Sequence, residues 1–164
     1  MTKPPPELAE LIWRWPRTDK ARPADLLHVT ILTFGDLSTL PAHFLERLLE
    51  AMADFEGDAF RLMFDEVVES QHVLLCGSEP LRGAVRFQAT LEYFLRIHGI
   101  RLPRPPPTPH LTIRYRPDGG GSSSIAPISW TATKLLLVES LVGHRRHIEH
   151  GRWQLGAGQR RASV

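Results

Sequence analysis

Two tetrapeptides in this chain have the makings of a reactive site: His28-Val29-Thr30-Ile31 and His110-Leu111-Thr112-Ile113. In an extended strand, side chains at i and i+2 leave one face and those at i+1 and i+3 leave the other. His28 and Thr30 thus share a face, as do His110 and Thr112, and the four apolar partners can pin both segments into a core. Histidine is the side chain whose ordinary pKa lies near neutrality, so two imidazoles facing one phosphorus can divide the work of activating water and protonating a departing oxygen. The threonine hydroxyls can donate hydrogen bonds to nonbridging oxygens as charge develops. Chance gives roughly 0.1 such tetrapeptides in a chain of this composition, so one in each half points to a shared site rather than to two ordinary strand histidines. A strained cyclic phosphate, whose leaving oxygen stays tethered, suits this chemistry. No metal or other cofactor is required by it.

The elements that position these residues are read from periodicity. After Pro4 to Pro6, Glu7 to Trp15 has the spacing of an amphipathic helix. Leu26 to Phe34 reads as a strand closed by Gly35-Asp36, and Pro41 to Phe55 as a second helix. Phe60 to Glu69 and His72 to Gly77 form a candidate hairpin. Leu81 to His98 is a third helix stopped by Gly99. The proline-dense stretch Pro103 to Pro109 runs extended into a strand from Pro109 to Tyr115. Gly119 to Ser124 reads as a flexible loop, Ser129 to Ser140 and Arg146 to Leu155 as closing strands, and 156–164 as a loose tail. Each half thus offers a His-first strand and a long helix. This predicts an α+β fold of two pseudo-symmetric lobes, antiparallel strands within and helices outside, with a central cleft between the motifs.

Length and composition set the bounds. A chain of 164 residues, 42% hydrophobic and 23% charged, makes a single two-lobed domain over 1–164. The net charge of +2 permits an anionic ligand without demanding one. Basic residues cluster over 101–116 and 144–152, and such runs are more often solvated faces than sites. One cysteine, Cys76, excludes an intrachain disulfide and fits a reducing cytoplasm; its apolar neighbours mark it as a small buried hydrophobe. No apolar run approaches a membrane span. His144, His147 and His150 recur every third residue without a carboxylate at ligand spacing, which favours histidines on the surface or at the rim of the site over a metal site. Phe34 and Trp153 read as core packing before base stacking.

With these residues in view, the chain resembles the two-histidine phosphoesterases, in particular the bacterial RNA 2′,3′-cyclic phosphodiesterases also called 2′-5′ RNA ligases. The likeness extends through Asp25 to Asp36, Thr108 to Ile113, Trp130 with Leu135 to Leu141, and Arg152 to Leu155, so over about residues 20–155. It implies a bilobal α+β fold and hydrolysis of RNA 2′,3′-cyclic phosphate ends, or of small cyclic nucleotides, to 2′-phosphates. It also implies that His28 donates the proton to the leaving oxygen, that His110 accepts one from water, and that Thr30 and Thr112 hold the phosphate. Neither a membrane nor an obligate protein partner is implied. Two departures stand out. Relatives commonly begin with a strand ahead of the first helix, whereas this chain starts almost at that helix. Many also place a basic residue five positions beyond the second histidine, where Tyr115 stands here; Arg114 and Arg116 share the face of His110 if the strand stays regular, and either can supply the charge. A nucleotide or RNA binding module that has lost catalysis, and a 2′-5′ ligase, are the competing readings.

Overall fold

The computed structural model describes residues 1–14, 21–115, 120–141 and 146–156, so the tail expected over 156–164 lies, but for Gly156, outside the described residues. Helix α1 spans Pro6–Trp13, entered through prolines that suit a first turn. Two short 3-10 turns follow, Ala24–Leu26 and Leu37–Thr39. Helix α2 is Phe44–Met52; it starts later than Pro41 because His43 sits in the left-handed region at φ 59°. Helix α3 is Arg82–Ile97, closed by Gly99 at φ 75° with the Ile100 amide turned back to the Leu95 carbonyl.

The strands are β1 Phe60–Glu69, β2 His72–Cys76, β3 Leu111–Tyr115, β4 Gly121–Ala132, β5 Lys134–Leu141 and β6 Arg146–Gln154. One antiparallel sheet has the order β3-β2-β1-β4, and β5 pairs with β6 in a second. The architecture is therefore α+β with two antiparallel sheets, unequal in strand number among the described residues. Along β1, Phe60, Leu62 and Phe64 are buried and alternate with Arg61 and Met63, the period-2 signature of a half-buried strand. Ala84, Phe87, Leu91 and Leu95 form the inward stripe of α3, and the Phe87 and Phe60 rings stack at 4.6 Å.

Three expectations need correction. Gly121 to Ser124 is strand, not loop: β1 is long enough that Glu69, Val68, Val67 and Glu66 require partners, and this segment supplies them. Ladder bonds override the weak strand propensity of Gly and Ser. Second, Ser129 to Ser140 is not one strand. Thr133 and Lys134 are both exposed and Leu135 and Leu136 both buried, so the alternation breaks and the chain passes from one sheet to the other. Third, Leu26 to Phe34 is not a regular strand. Leu26 closes a 3-10 turn, and beyond it the only bridges among the described residues are at Val29, to Leu111 on one side and Thr2 on the other.

Met1 and Thr2 lie between the two sheets. Thr2 exchanges both backbone bonds with Val29 (3.0 and 2.9 Å), and Met1 both with Leu136 (2.8 Å each). Past this point the edges of 30–34 and of β5 separate around a cavity of about 740 Å³, lined by Leu48, Met52, Leu91, Leu95 and Leu137 among others. The segment 30–34 thus makes no ladder among the described residues, which is why it stays extended without becoming a strand. Among the described residues, no helix is long and apolar enough to cross a membrane.

Candidate active site

The antiparallel bridge between Val29 and Leu111 sets the geometry of the two motifs. Val29, Ile31 and Leu111 are fully buried and Ile113 is 3% exposed, so one face is core. His28, Thr30, His110 and Thr112 are each only partly buried and occupy the other face. Antiparallel counting from the bridge sets His28 opposite Thr112 and Thr30 opposite His110. The two histidines lie on a diagonal, with Cα atoms about 7–8 Å apart for such a pair. That spacing leaves room for one tetrahedral group between two imidazoles. The cavity described above reaches His28 and Thr30 but is not lined by His110 or Thr112, so it is not the place where the four converge.

Both rings are held the same way. His28 Nδ1 lies 2.8 Å from the Leu26 carbonyl, and His110 Nδ1 lies 2.8 Å from the Thr108 carbonyl, each two residues upstream. A carbonyl oxygen only accepts, so Nδ1 carries the hydrogen in both rings and Nε2 is left for a reactant. Pro109 keeps Thr108 extended and so aims that carbonyl at His110.

Residues without a recognisable motif complete the surroundings. Arg22 donates through Nε to the same Leu26 carbonyl at 2.9 Å, through Nη1 to the Tyr115 hydroxyl, and brings Nη2 to 3.4 Å from His28 Nδ1. The His147 ring meets that of His28 edge-on, centroids 5.2 Å apart, and its Nδ1 is buried with no hydrogen-bond partner among the described residues. Gln88 on α3 donates from Nε2 to the carbonyls of Ile31 and Pro107, 2.8 Å each, tying the two motif-bearing segments together. No spacing rule announces Arg22, but Gln88 had a readable signal: a polar residue in phase with the apolar stripe of α3.

Arg114 departs from the regular-strand expectation. Register slips between Val73 and Leu74, whose partners are Arg114 and Thr112, so Ile113 is the extra residue of a bulge. Ile113 and Arg114 are consecutively buried, and simple alternation no longer places Arg114 with Thr112. Arg116 lies outside the described residues, as does His144. His150 is bonded to Glu139 at 3.0 Å across a bulge in β6, away from His147. Among the described residues no three His, Cys, Asp or Glu side chains are grouped to hold a metal ion. Burial, reinforced by Glu66, pushes the Cys76 thiol above its ordinary range, which suits a packing residue rather than a nucleophile. Phe34 and Trp153 pack partly buried against the core while lining the cavity.

The His28 imidazole is lowered to about 3, chiefly by burial, against the opposing bond to Leu26 and with further depression from Arg22 and His147. It is neutral in the free protein at physiological pH. An unfolded chain takes up this proton near pH 6.5 and the folded one only near 3, so folding stability attributable to His28 is complete above pH 6.5 and lost toward pH 3. Urea titrations at pH 7, 5 and 4 are expected to show stability falling by up to about 1.4 kcal/mol per pH unit from this group, with a shallower fall in His28→Ala. Equal slopes for both proteins would contradict the assignment.

Comparison with known proteins gives the family and the fold. The family described as the 2′-5′ RNA ligase superfamily matches residues 4–144. Escherichia coli LigT complexed with 3′-AMP superposes with a TM-score of 0.66 at 25% identity, covering 94% of each chain. The same protein complexed with NADP+ gives 0.64 at 25% identity and 94% coverage of each. The Thermus thermophilus protein TT0787 shares the fold at 17% identity, with a TM-score of 0.67 over 93% of this chain and 94% of that one. No curated protein matches the sequence. With the family's span covering most of the chain and the same fold in LigT, this protein belongs to the 2′-5′ RNA ligase superfamily, the two-histidine phosphoesterases, a group of phosphoesterase and ligase enzymes.

Proposed function

We propose that this protein hydrolyses 2′,3′-cyclic phosphates on RNA ends or small nucleotides to 2′-phosphates, without a metal, in the cytoplasm. The observation that carries the reading is the Val29–Leu111 bridge, which gathers both histidines and both threonines on one face. Water attacks phosphorus, its proton passing to one imidazole. The bond from phosphorus to the 3′ oxygen breaks, and that oxygen takes a proton from the other imidazole. Thr30 and Thr112 donate to the nonbridging oxygens. Arg114 and Arg116 are the further candidates to place positive charge on the same phosphate. The nucleotides held by LigT support a ligand of this size.

The resemblance makes His28 the donor and His110 the acceptor. A neutral His28 donates only after gaining a proton in the complex, and the negative phosphate, countering the push of Arg22 and His147, supplies the cause. Phosphorus NMR of the protein with chelator and adenosine 2′,3′-cyclic phosphate, then with a short RNA bearing the same end, tests the reaction: a 2′-phosphate is expected. Ring NMR of His28 with a nonhydrolysable analogue of the cyclic phosphate bound is expected to report a protonated imidazole; a ring that stays neutral exchanges the two labels. Binding without product from either substrate would reject hydrolysis, and a 2′-5′ joint formed with a 5′-hydroxyl RNA would identify the ligase.

A further inference from the structure

Arg22 has more donors than acceptors. Its backbone amide donates to the Ile113 carbonyl at 2.9 Å and Ala21 bridges Arg114, so this stretch is stitched to β3 just beyond Thr112. The side chain then crosses to the corner where Thr112 faces His28. Two of its five N–H groups are occupied, by the Leu26 carbonyl and the Tyr115 hydroxyl. Both hydrogens on Nη2 lack an acceptor among the described residues, because the nearest atom, His28 Nδ1 at 3.4 Å, already carries a hydrogen bound for Leu26. Among the described residues no carboxylate pairs with this guanidinium. A partly buried cation held, among the described residues, only by neutral acceptors, with a donor pair left over against the Nδ1 edge of His28, is suited to an oxyanion brought to that ring.

We propose that Arg22 is the anion-binding cation of this site and that Tyr115 is its positioning residue. Tyr115 holds Nη1 through its hydroxyl, presents its ring 5.5 Å from the guanidinium carbon, and is itself braced edge-on by His72 at 5.2 Å. The tyrosine at the place where many relatives carry a basic residue thus aims a charge supplied from elsewhere in the chain. The ligand class is a phosphate monoester or diester, as the proposed reaction requires; the substrate part of the inference rests on that reaction, and the anion-binding part does not.

The test is phosphate affinity by calorimetry, alongside KM and kcat on the cyclic nucleotide, in Arg22→Gln, Arg22→Lys, Tyr115→Phe and the double variant Arg22→Gln/Tyr115→Phe. Arg22→Gln is expected to weaken inorganic phosphate about 30-fold and to raise KM about as much, with kcat changed less. Arg22→Lys keeps the charge but loses the fork, and is expected to fall about 5-fold. Tyr115→Phe is expected to lose about 3-fold, with the double variant no weaker than Arg22→Gln, since the hydroxyl acts only through the arginine. Wild-type phosphate affinity in Arg22→Gln overturns the proposal. So does a loss shared in full by Arg22→Lys together with a lowered Tm, which would make Arg22 a structural tie. Phosphate binding that depends on Arg22 in a protein that opens no cyclic phosphate leaves this inference standing and rejects the reaction.

Discussion

His28→Ala and His110→Ala each lower turnover of a 2′,3′-cyclic phosphate by about a thousandfold or more while the protein stays folded. The size of the effect follows from what each ring supplies. With Nδ1 committed to a carbonyl, each Nε2 is a single proton site, and neither Thr30 nor Thr112 titrates near neutrality to replace it. Both rings act in the same displacement at phosphorus, one accepting a proton and the other donating one, so the double variant is expected to be little worse than the poorer single one. The His28 ring is only partly buried and is held by a bond to one carbonyl, so His28→Ala is not expected to unfold at neutral pH. The measurement is initial rate by phosphorus NMR, with circular dichroism and Tm on the same samples. Retention of near-wild-type rates by both folded variants would remove the histidines from the mechanism.

How much of this site was legible depends on the kind of signal each residue carries. The motif pair was legible because alternation on an extended backbone is a local property, and Val29, Ile31 and Leu111 are indeed fully buried. The three helices were legible for the same reason: their apolar stripes repeat within a few residues, and only their ends moved. What was not legible depends on partners far away in sequence. Whether 26–34 becomes a strand is decided by what lies at its edges, and only Val29 finds partners there among the described residues. The bulge at Ile113 is set by β2, far upstream in the chain, and it undoes the alternation that would have aligned Arg114. Arg22 reaches His28 through tertiary packing alone, so nothing in its spacing could have proposed it, and the three-residue recurrence that marked His147 did not point to His28.

Gln88→Leu is the second variant with a large expected effect, and it acts without touching a reactant. Gln88 is 5% exposed, and its two amide hydrogens are the donors to the carbonyls of Ile31 and Pro107. Two acceptor-only partners require the amino group there, so the orientation of the amide is decided by chemistry. Leucine fills a similar space but leaves both carbonyls without that donor, at a cost of about 2–4 kcal/mol and a fall in Tm of roughly 5–15 °C. Ile31 directly follows Thr30, and Pro107 stands three residues before His110, so the same change loosens the distance across which the histidines must meet one phosphorus. A misplacement of that kind is expected to lower kcat about 10–100-fold in the fraction that remains folded. Gln88→Glu is expected to be worse at neutral pH, with a carboxylate facing two carbonyl oxygens, and to recover in part on acidification as the carboxyl regains one donor. Val85→Ala, on the exposed side of the same helix, is the control and is expected to change little. A Gln88→Leu protein with wild-type Tm and wild-type kcat would show that the two motifs hold their spacing through the Val29–Leu111 bridge alone, and that α3 is a cover rather than a clamp.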